Sequence, residues 1–406
     1  MTFSFTAPGT EKRSRRFQAY FSLCLSYFKK NFGKRLAHLQ TLHDDAGYQG
    51  IFAPRNVEGP EALKEDLIRF ERIGIFKLSD IDVISRQGPV KRISEPRRCV
   101  ICGSREMRGC FLSGKHTAVE VLSGYDRVIE RAFLHNKIRR TLKERIRRAL
   151  LSELCTTPKY GMIDMLDSSR HSDMNFRMFL DSIETISGRF GSLYDLGFTY
   201  DKPPNTSTIA DIRLKGRGIE REMFKRTGGV NTLKGAVFLY SVICFSLGYI
   251  IAWKEKPSLK ALIGAVKNIC RGLEKELRDP GLNTASGEVF RKYGIGGIRS
   301  ELKKGLPSVI TALRKKYPGA ASINEIALRR FLTLFKNTDD TQVIKRTGLE
   351  EYRRIQEALD PSAGNIAREM DKFGKYASAH SFSAGGTADL LSLSFFLDPM
   401  IEDLHK

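Results

Sequence analysis

Thr227-Gly228-Gly229-Val230-Asn231-Thr232-Leu233-Lys234-Gly235 runs straight into Ala236–Trp253, a stretch with no charged residue. That stretch is long enough to span a bilayer. It carries Ser241, Cys244, Ser246 and Gly248, however, and no second such stretch accompanies it. It is therefore read as a helix apolar on all sides, buried in the middle of a helical domain. The loop before it has two readings. Paired glycines, an amide and a lysine at a helix start can hold phosphate oxygens through backbone N–H groups and the helix dipole. The same residues also make an ordinary capping loop. The Gly-x4-Gly-Lys-Ser/Thr spacing of a Walker A loop is absent.

Moving outward, apolar residues keep a helical period from Tyr125 onward. Ile129, Phe133, Ile138, Leu142 and Ile146 mark one long helix. Further helices are predicted at Asn175–Ser187, Leu214–Arg226, Gly235–Trp253, Ser258–Leu277, Ile298–Lys316, Ile323–Leu334, Leu349–Leu359, Ile366–Tyr376 and Ala388–His405. Strand-like alternation is nearly absent, so this part is read as all-α with motifs at helix ends. The front of the chain differs. Thr2–Thr6, Tyr48–Pro54, Ile73–Leu78 and Ile81–Ser85 read as strands, and Arg15–Phe32 and Pro60–Arg69 as helices. Pro96–Gly114 reads as a loop, and Ser123-Gly124 as the breakpoint. The expected fold is mainly α: a small α+β domain over 1–124, then a larger all-α domain over 125–406.

The 406 residues suffice for two domains, and 68 Lys+Arg against 46 Asp+Glu give a net charge of +22. That sign suits polyanions: nucleic acid, a triphosphate, a pyrophosphate-bearing coenzyme or an acidic carrier protein. No RGG tract or nucleic-acid motif is present. The basic run Lys137–Arg148 reads either as a solvated helix face or as a docking surface. Seven cysteines without a signal peptide point to a reducing cytoplasm, with no membrane attachment.

Four ordered blocks narrow the function. Tyr160-Gly161-Met162-Ile163-Asp164 leads into His171-Ser172-Asp173-Met174. The opening stretch follows, then Asp339-Asp340-Thr341-Gln342, then Ser383-Ala384-Gly385-Gly386-Thr387-Ala388-Asp389-Leu390-Leu391. In this order they resemble the triphosphoribosyl-dephospho-CoA synthase family, which writes P-G-L-V-D…H-x-D-M, T-G-G-V-N-T-H-K-G, D-T-N and S-P-G-G-S-A-D-L-L. Leu233 stands where that family has His, Ser172 where it usually has a basic residue, and Gln342 ends the third block.

The resemblance implies that the 2′-hydroxyl of 3′-dephospho-CoA attacks the anomeric carbon of ATP and adenine leaves. The transition state is then oxocarbenium-like, with carboxylates steadying charge and moving protons. Under that reading Asp164 or Asp173 is general base or metal ligand, and His171 is proton donor or phosphate contact. Gly228, Gly229, Asn231 and Lys234 hold triphosphate; Gly385, Gly386 and Asp389 hold phosphate or ribose; Glu301 and Asp340 are candidates for Mg2+. The bland alternatives are helix caps at His171-x-Asp173 and at Thr387.

The front part resembles the holo-citrate lyase synthase family. Phe3-Ser4-Phe5-Thr6-Ala7-Pro8-Gly9-Thr10-Glu11-Lys12 matches its V-S-F-T-x-x-x-P-G-P-x-K segment, and Ser79-Asp80-Ile81-Asp82-Val83 its W-D-I-D-V strand. Pro96-Arg97-Arg98-Cys99-Val100-Ile101-Cys102, Cys110 and His116 match its P-x-R-x-C-x-x-C…C…H block. The implied partner is the citrate lyase acyl carrier protein, one of whose serines attacks the α-phosphate and expels pyrophosphate. Asp80 and Asp82 are read as pointing to opposite faces of a strand, with Asp82 as the metal candidate. Cys99, Cys102, Cys110 and His116 read either as a zinc site or as free buried thiols. The expectation is thus a fused maturation enzyme for citrate lyase. The other readings are a synthase with a non-catalytic docking half, a basic nucleic-acid-binding protein, and a non-catalytic adaptor. Nucleic acid is the less favoured partner because it leaves the four ordered blocks unexplained.

Overall fold

The computed structural model describes residues 1–5, 14–44, 47–55, 59–92, 97–104, 107–166, 173–279, 281 and 284–405. By contacts it divides into one unit of Met1–Arg140 with Ile251–Glu255, and another of Thr141–Ile250 with Lys256–Lys406.

In the first unit β1 (Thr2–Phe5), β2 (Leu36–Asp44), β3 (Gly47–Pro54) and β4 (Ser79–Asp82) form an antiparallel sheet ordered β2-β3-β1-β4. Helices α1 (Arg15–Phe32) and α2 (Pro60–Glu71), the hairpin of β5 (Ile84–Ser85) and β6 (Gly88–Pro89), α3 (Met107–Leu112) and the start of α4 (Ala118–Cys155) complete it. Period two in β1 buries Phe3 and Phe5. They meet the apolar stripe of α1, with Phe3 4.8 Å from Phe28 and Phe5 5.0 Å from Tyr20 between ring centroids.

The sequence reading is corrected at several points here, among them α3, which forms inside the stretch expected as a loop over Pro96–Gly114, and the strand expected over Ile81–Ser85, which is split between β4 and β5. Strand β2 was not expected: of its residues only Leu36 is buried, so a polar edge strand shows no alternation. Ile73–Leu78 is not a strand but contains a buried 3-10 turn, Gly74–Phe76, and Tyr20 donates its hydroxyl to the Ile75 carbonyl at 2.6 Å. A short apolar run has no period by which to tell the two apart. Asp80 and Asp82 share a face, as residues two apart in a strand must, while Ser79 and Ile81 are buried on the other. Finally, α4 runs unbroken through Ser123-Gly124: a Cβ at Gly124 would come 3.0 Å from the Ile101 side chain, so this glycine serves close packing.

The second unit is built of helices and loops, with no strand among its described residues. It holds the rest of α4 and α5 (Phe176–Ser187), α6 (Gly191–Thr199), α7 (Thr208–Arg226), α8 (Lys234–Trp253) as far as Ile250, α9 (Leu259–Cys270), α10 (Ala285–Tyr293) and α11 (Ile298–Lys304). After these come α12 (Pro307–Arg314), α13 (Ile323–Asn337), α14 (Thr341–Thr347), α15 (Leu349–Ala358), α16 (Ile366–Ala379) and α17 (Gly385–His405). The stretch expected as one helix over Ile298–Lys316 breaks at Gly305 and Leu306, at φ 86° and 62°, before Pro307. The short helices α6, α10 and α14 were not expected.

Helix α8 is the axis of this unit, with 89% of its most apolar window buried. Tyr240 on it packs on Phe396 of α17 at 5.4 Å. Against α6 the backbones themselves touch. A Cβ on Gly197 would lie 1.9 Å from the Phe245 carbonyl oxygen, and one on Gly248 would lie 2.1 Å from that of Tyr194. Gly197→Ala is therefore expected to destabilise the protein by at least ~1–3 kcal/mol, outweighing the ~1 kcal/mol that Ala gains over Gly in a helix. Gly264→Ala in α9, where a Cβ meets nothing within 4 Å, is the control and should stabilise slightly. Urea midpoints of the two variants measure the difference.

Candidate functional site

Three helices of the second unit start at one cavity of ≈ 1420 Å³. Lys234 and Gly235 open α8, Gly385 and Gly386 open α17, and Asp340 caps α14 by accepting from the Gln342 N–H at 3.0 Å. Asn231 caps α8, its Oδ1 accepting from the Lys234 N–H at 3.2 Å. Helix N-termini also carry partial positive charge, which suits phosphate. Arg213, Arg217, Arg299 and Arg346 add full charges to the walls. Arg213 is held by a two-pronged pair with Glu276 at 2.7 and 2.6 Å. The Nε of Arg299 and the Oγ1 of Thr338 are buried with no hydrogen-bond partner among the described residues. Such atoms leave capacity that a ligand can satisfy.

Opposite charge lines the same space. Glu153, Glu220, Asp339, Asp340 and Asp389 all contribute to the wall. Asp389 reaches the first turn of α8 and accepts a hydrogen bond from the Ala236 backbone. Only glycine fits beneath it, because a Cβ on Gly235 would lie 1.9 Å from its Oδ2. Burial pushes the Asp389 carboxyl well above the usual carboxylate range, and the charges of Glu153 and Asp340 push it further. Burial also raises Asp340, against the opposing effect of Thr387, whose N–H and hydroxyl donate to its Oδ2 at 2.8 and 3.0 Å. Burial likewise raises Glu153, opposed by its ion pair with the fully buried Lys159. Tyr352 steadies the Asp339-Asp340 turn, accepting from the Asp340 N–H at 3.1 Å and donating to the Thr338 carbonyl at 2.7 Å.

Of the residues singled out from sequence, the cavity brings together Asn231, Lys234, Asp340, Gly385, Gly386 and Asp389. Gly228 and Gly229, at φ 62° and 93°, take the chain out of α7, and the Gly229 N–H donates to the Phe224 carbonyl at 2.8 Å. They are exposed and outside the lining. Asp164 is buried behind it. Its Oδ2 accepts from the Thr157 hydroxyl at 3.0 Å and the Lys159 N–H at 2.7 Å, and its Oδ1 from the Leu166 N–H at 2.8 Å. Asp173 is exposed beside Met174, which lines the cavity. His171 lies outside the described residues. Glu301 is buried and accepts from the Ser308 N–H at 2.8 Å, at the start of α12 rather than at the cavity. In the first unit Asp82 is exposed beside Lys64, 3.6 Å away, and Asp80 pairs with Arg97 at 3.1 Å. The ligand atoms of Cys99, Cys102, Cys110 and His116 all lie within 4.8 Å of one another.

Sequence reasoning missed Glu153, Arg213, Arg217, Glu220, Arg299 and Arg346. Arg213, Arg217 and Glu220 recur at helical spacing on the side of α7 that also carries Ile212 and Gly216, a legible signal. Glu153 offered none, being one carboxylate in the last turn of a charge-rich helix.

The two parts of the chain match different protein families. Residues 139–406 match the ATP:dephospho-CoA triphosphoribosyl transferase family, and residues 1–132 match apo-citrate lyase phosphoribosyl-dephospho-CoA transferase. A probable 2-(5''-triphosphoribosyl)-3'-dephosphocoenzyme-A synthase of Albidiferax ferrireducens is 31% identical over 273 residues, 64% of this chain and 90% of that protein. The corresponding synthase of Pectobacterium atrosepticum is 29% identical over 264 residues, 63% of this chain and 88% of that one. Protein CitXG of Haemophilus influenzae is 28% identical over 355 residues, 80% of this chain and 74% of its own length. No solved structure matches. The chain thus belongs to the ATP:dephospho-CoA triphosphoribosyl transferase family, joined at its front to a part that matches the apo-citrate lyase phosphoribosyl-dephospho-CoA transferase family.

Proposed function

We propose that the helical unit transfers the triphosphoribosyl group of ATP to the 2′-hydroxyl of 3′-dephospho-CoA, releasing adenine. The front unit then attaches the product to a serine of the citrate lyase acyl carrier protein, releasing pyrophosphate. The observation that carries the first step is one cavity that gathers basic side chains, helix starts and raised carboxyl groups in the same space. At ≈ 1420 Å³ it exceeds the ~300–1,000 Å³ of a site for one small ligand, which supports two substrates side by side.

Lys234, Asn231, Arg299, Arg346 and the start of α17 hold the triphosphate; Arg213 and Arg217 face the coenzyme's pyrophosphate. Asp389 takes the proton of the attacking 2′-hydroxyl. As the new C–O bond forms, the bond from ribose to adenine breaks and its electron pair leaves with the base. Glu153 and Asp340 supply negative potential towards the cationic ribosyl carbon. Asp164 acts as a positioning residue that fixes the turn from Thr157 to Leu166. Asp173, next to the cavity-lining Met174, supplies a base or metal contact; His171, outside the described residues, keeps the role that the family resemblance gives it, proton donor or phosphate contact.

Mg2+ fits as the ion that arrives with ATP and neutralises its phosphates. It is commonly bound by one or two carboxylates plus substrate oxygens. Apart from the cysteine–histidine cluster, no three His, Cys, Asp or Glu ligand atoms converge closely enough to hold an ion by themselves among the described residues. Asp340 and Asp339 are the carboxylates best placed to share it. No two of the seven cysteines form a disulfide, which supports the cytoplasm as the compartment.

Incubation with ATP, Mg2+ and 3′-dephospho-CoA tests the reading. Free adenine and the mass of the triphosphoribosyl adduct are expected, and apo carrier protein added next should gain the phosphoribosyl-dephospho-CoA mass. No adenine under any divalent cation would sink the first step. Adenine without carrier modification would leave the front unit as a docking module.

A further inference from the structure

We propose that Cys99, Cys102, Cys110 and His116 form a closed structural zinc site in the first unit, independent of the reaction assigned to the helical unit. Tetrahedral zinc with Zn–S near 2.3 Å and Zn–N near 2.0–2.1 Å sets its ligand atoms about 3.5–3.8 Å apart. Here Cys99 Sγ and His116 Nε2 are 3.3 Å apart, and Cys102 Sγ and Cys110 Sγ are 3.6 Å apart. All four ligand atoms fall within 4.8 Å of one another. A disulfide instead brings two sulfurs to about 2.05 Å and leaves the other two ligands without a role. Three thiolates and an imidazole select zinc over magnesium or calcium. Four protein ligands leave no open position, the mark of a structural rather than a catalytic ion.

The backbone builds this geometry. The Gly103 N–H donates to the Cys99 carbonyl at 2.9 Å and the Cys99 N–H to the Ser104 carbonyl at 2.8 Å, closing a tight turn. Gly103 sits at φ 71°, where glycine is favoured, so Cys99 and Cys102 point the same way. On the other side α3 carries Cys110, and the Lys115 N–H donates back to the Cys110 carbonyl at 3.1 Å, which returns His116 to the cluster. The segment so pinned has little core of its own: Val100 and Ile101 are only half-buried. It nonetheless sets Arg97 on Asp80 of β4 at 3.1 Å and Ile101 against Gly124 of α4. An ion bonding the two halves of the cluster gives this segment the fixation that burial does not.

The test is metal analysis of the full chain purified in reducing buffer without chelator. About one zinc ion per chain is expected, retained through gel filtration, with a zinc-edge spectrum showing three sulfurs and one nitrogen at the distances above. Cys102→Ser should lose at least five-sixths of the zinc, while Cys270→Ser in the helical unit keeps it. If Cys102→Ser fails to fold, the wild-type chain loaded with cobalt decides instead, since a tetrahedral thiolate spectrum is expected from it. Zinc below a tenth of an equivalent with no cobalt spectrum, or zinc unchanged in Cys102→Ser, overturns the site.

Discussion

Asp389→Asn is expected to lower adenine release by about 100- to 10,000-fold, the range for a lost general acid–base group, while the chain stays folded. The amide has the carboxylate's shape and can still accept from the Ala236 backbone, so the α8–α17 junction is kept. The pH dependence distinguishes a base from a mere contact. Asp389 is raised by burial and by Glu153 and Asp340. The ionised form that accepts a proton therefore dominates only above the ordinary carboxylate range. In the wild type kcat/KM should fall as pH drops through that raised value. Glu153→Gln removes one nearby negative charge and leaves Lys159 unpaired, so in the variant that remains folded the acid limb should move to lower pH. A limb that stays in place in Glu153→Gln would show that another group titrates.

Lys159→Met should be the most destabilising single change near the site. Lys159 is fully buried, ion-paired with Glu153, and also donates to the Glu153 carbonyl at 2.6 Å. Removing one partner of a buried pair leaves an uncompensated charge and costs about 3–5 kcal/mol. That is a large share of the ~5–15 kcal/mol that holds a domain together. Glu153→Gln combined with Lys159→Met should recover much of the loss, since neither partner is then left as an unpaired charge. Guanidinium midpoints give both values. A loss under ~1 kcal/mol in Lys159→Met would mean that water reaches Glu153 and that the pair is not a dry one.

The helical class was legible because long amphipathic or wholly apolar stretches declare their period: α1, α8 and α13 could be read from residue spacing alone. The errors fall where no period exists. Strand β2 is polar, Ile73–Leu78 is short and apolar throughout, and α14 is brief and depends on the Asp340 cap. Half of the site was legible too. Asn231, Lys234, Asp340, Gly385, Gly386 and Asp389 stand in compact Gly/Asp blocks whose local chemistry, donors at helix starts, is written in neighbouring residues.

What the sequence by itself determined was the set of local devices: a helix apolar all round, glycines at helix starts, a carboxylate at a cap, and the ordered blocks that identify the family. Tertiary structure decided which of these share one space. Asp389 meets the first turn of α8 because Gly235 carries no Cβ, and Glu153 joins it from a helix whose sequence gives no sign of the site. The raised carboxyl groups follow from that convergence, since burial and mutual repulsion depend on distances between residues far apart in the chain. No local pattern encodes those distances; the packing of the helices around α8 does.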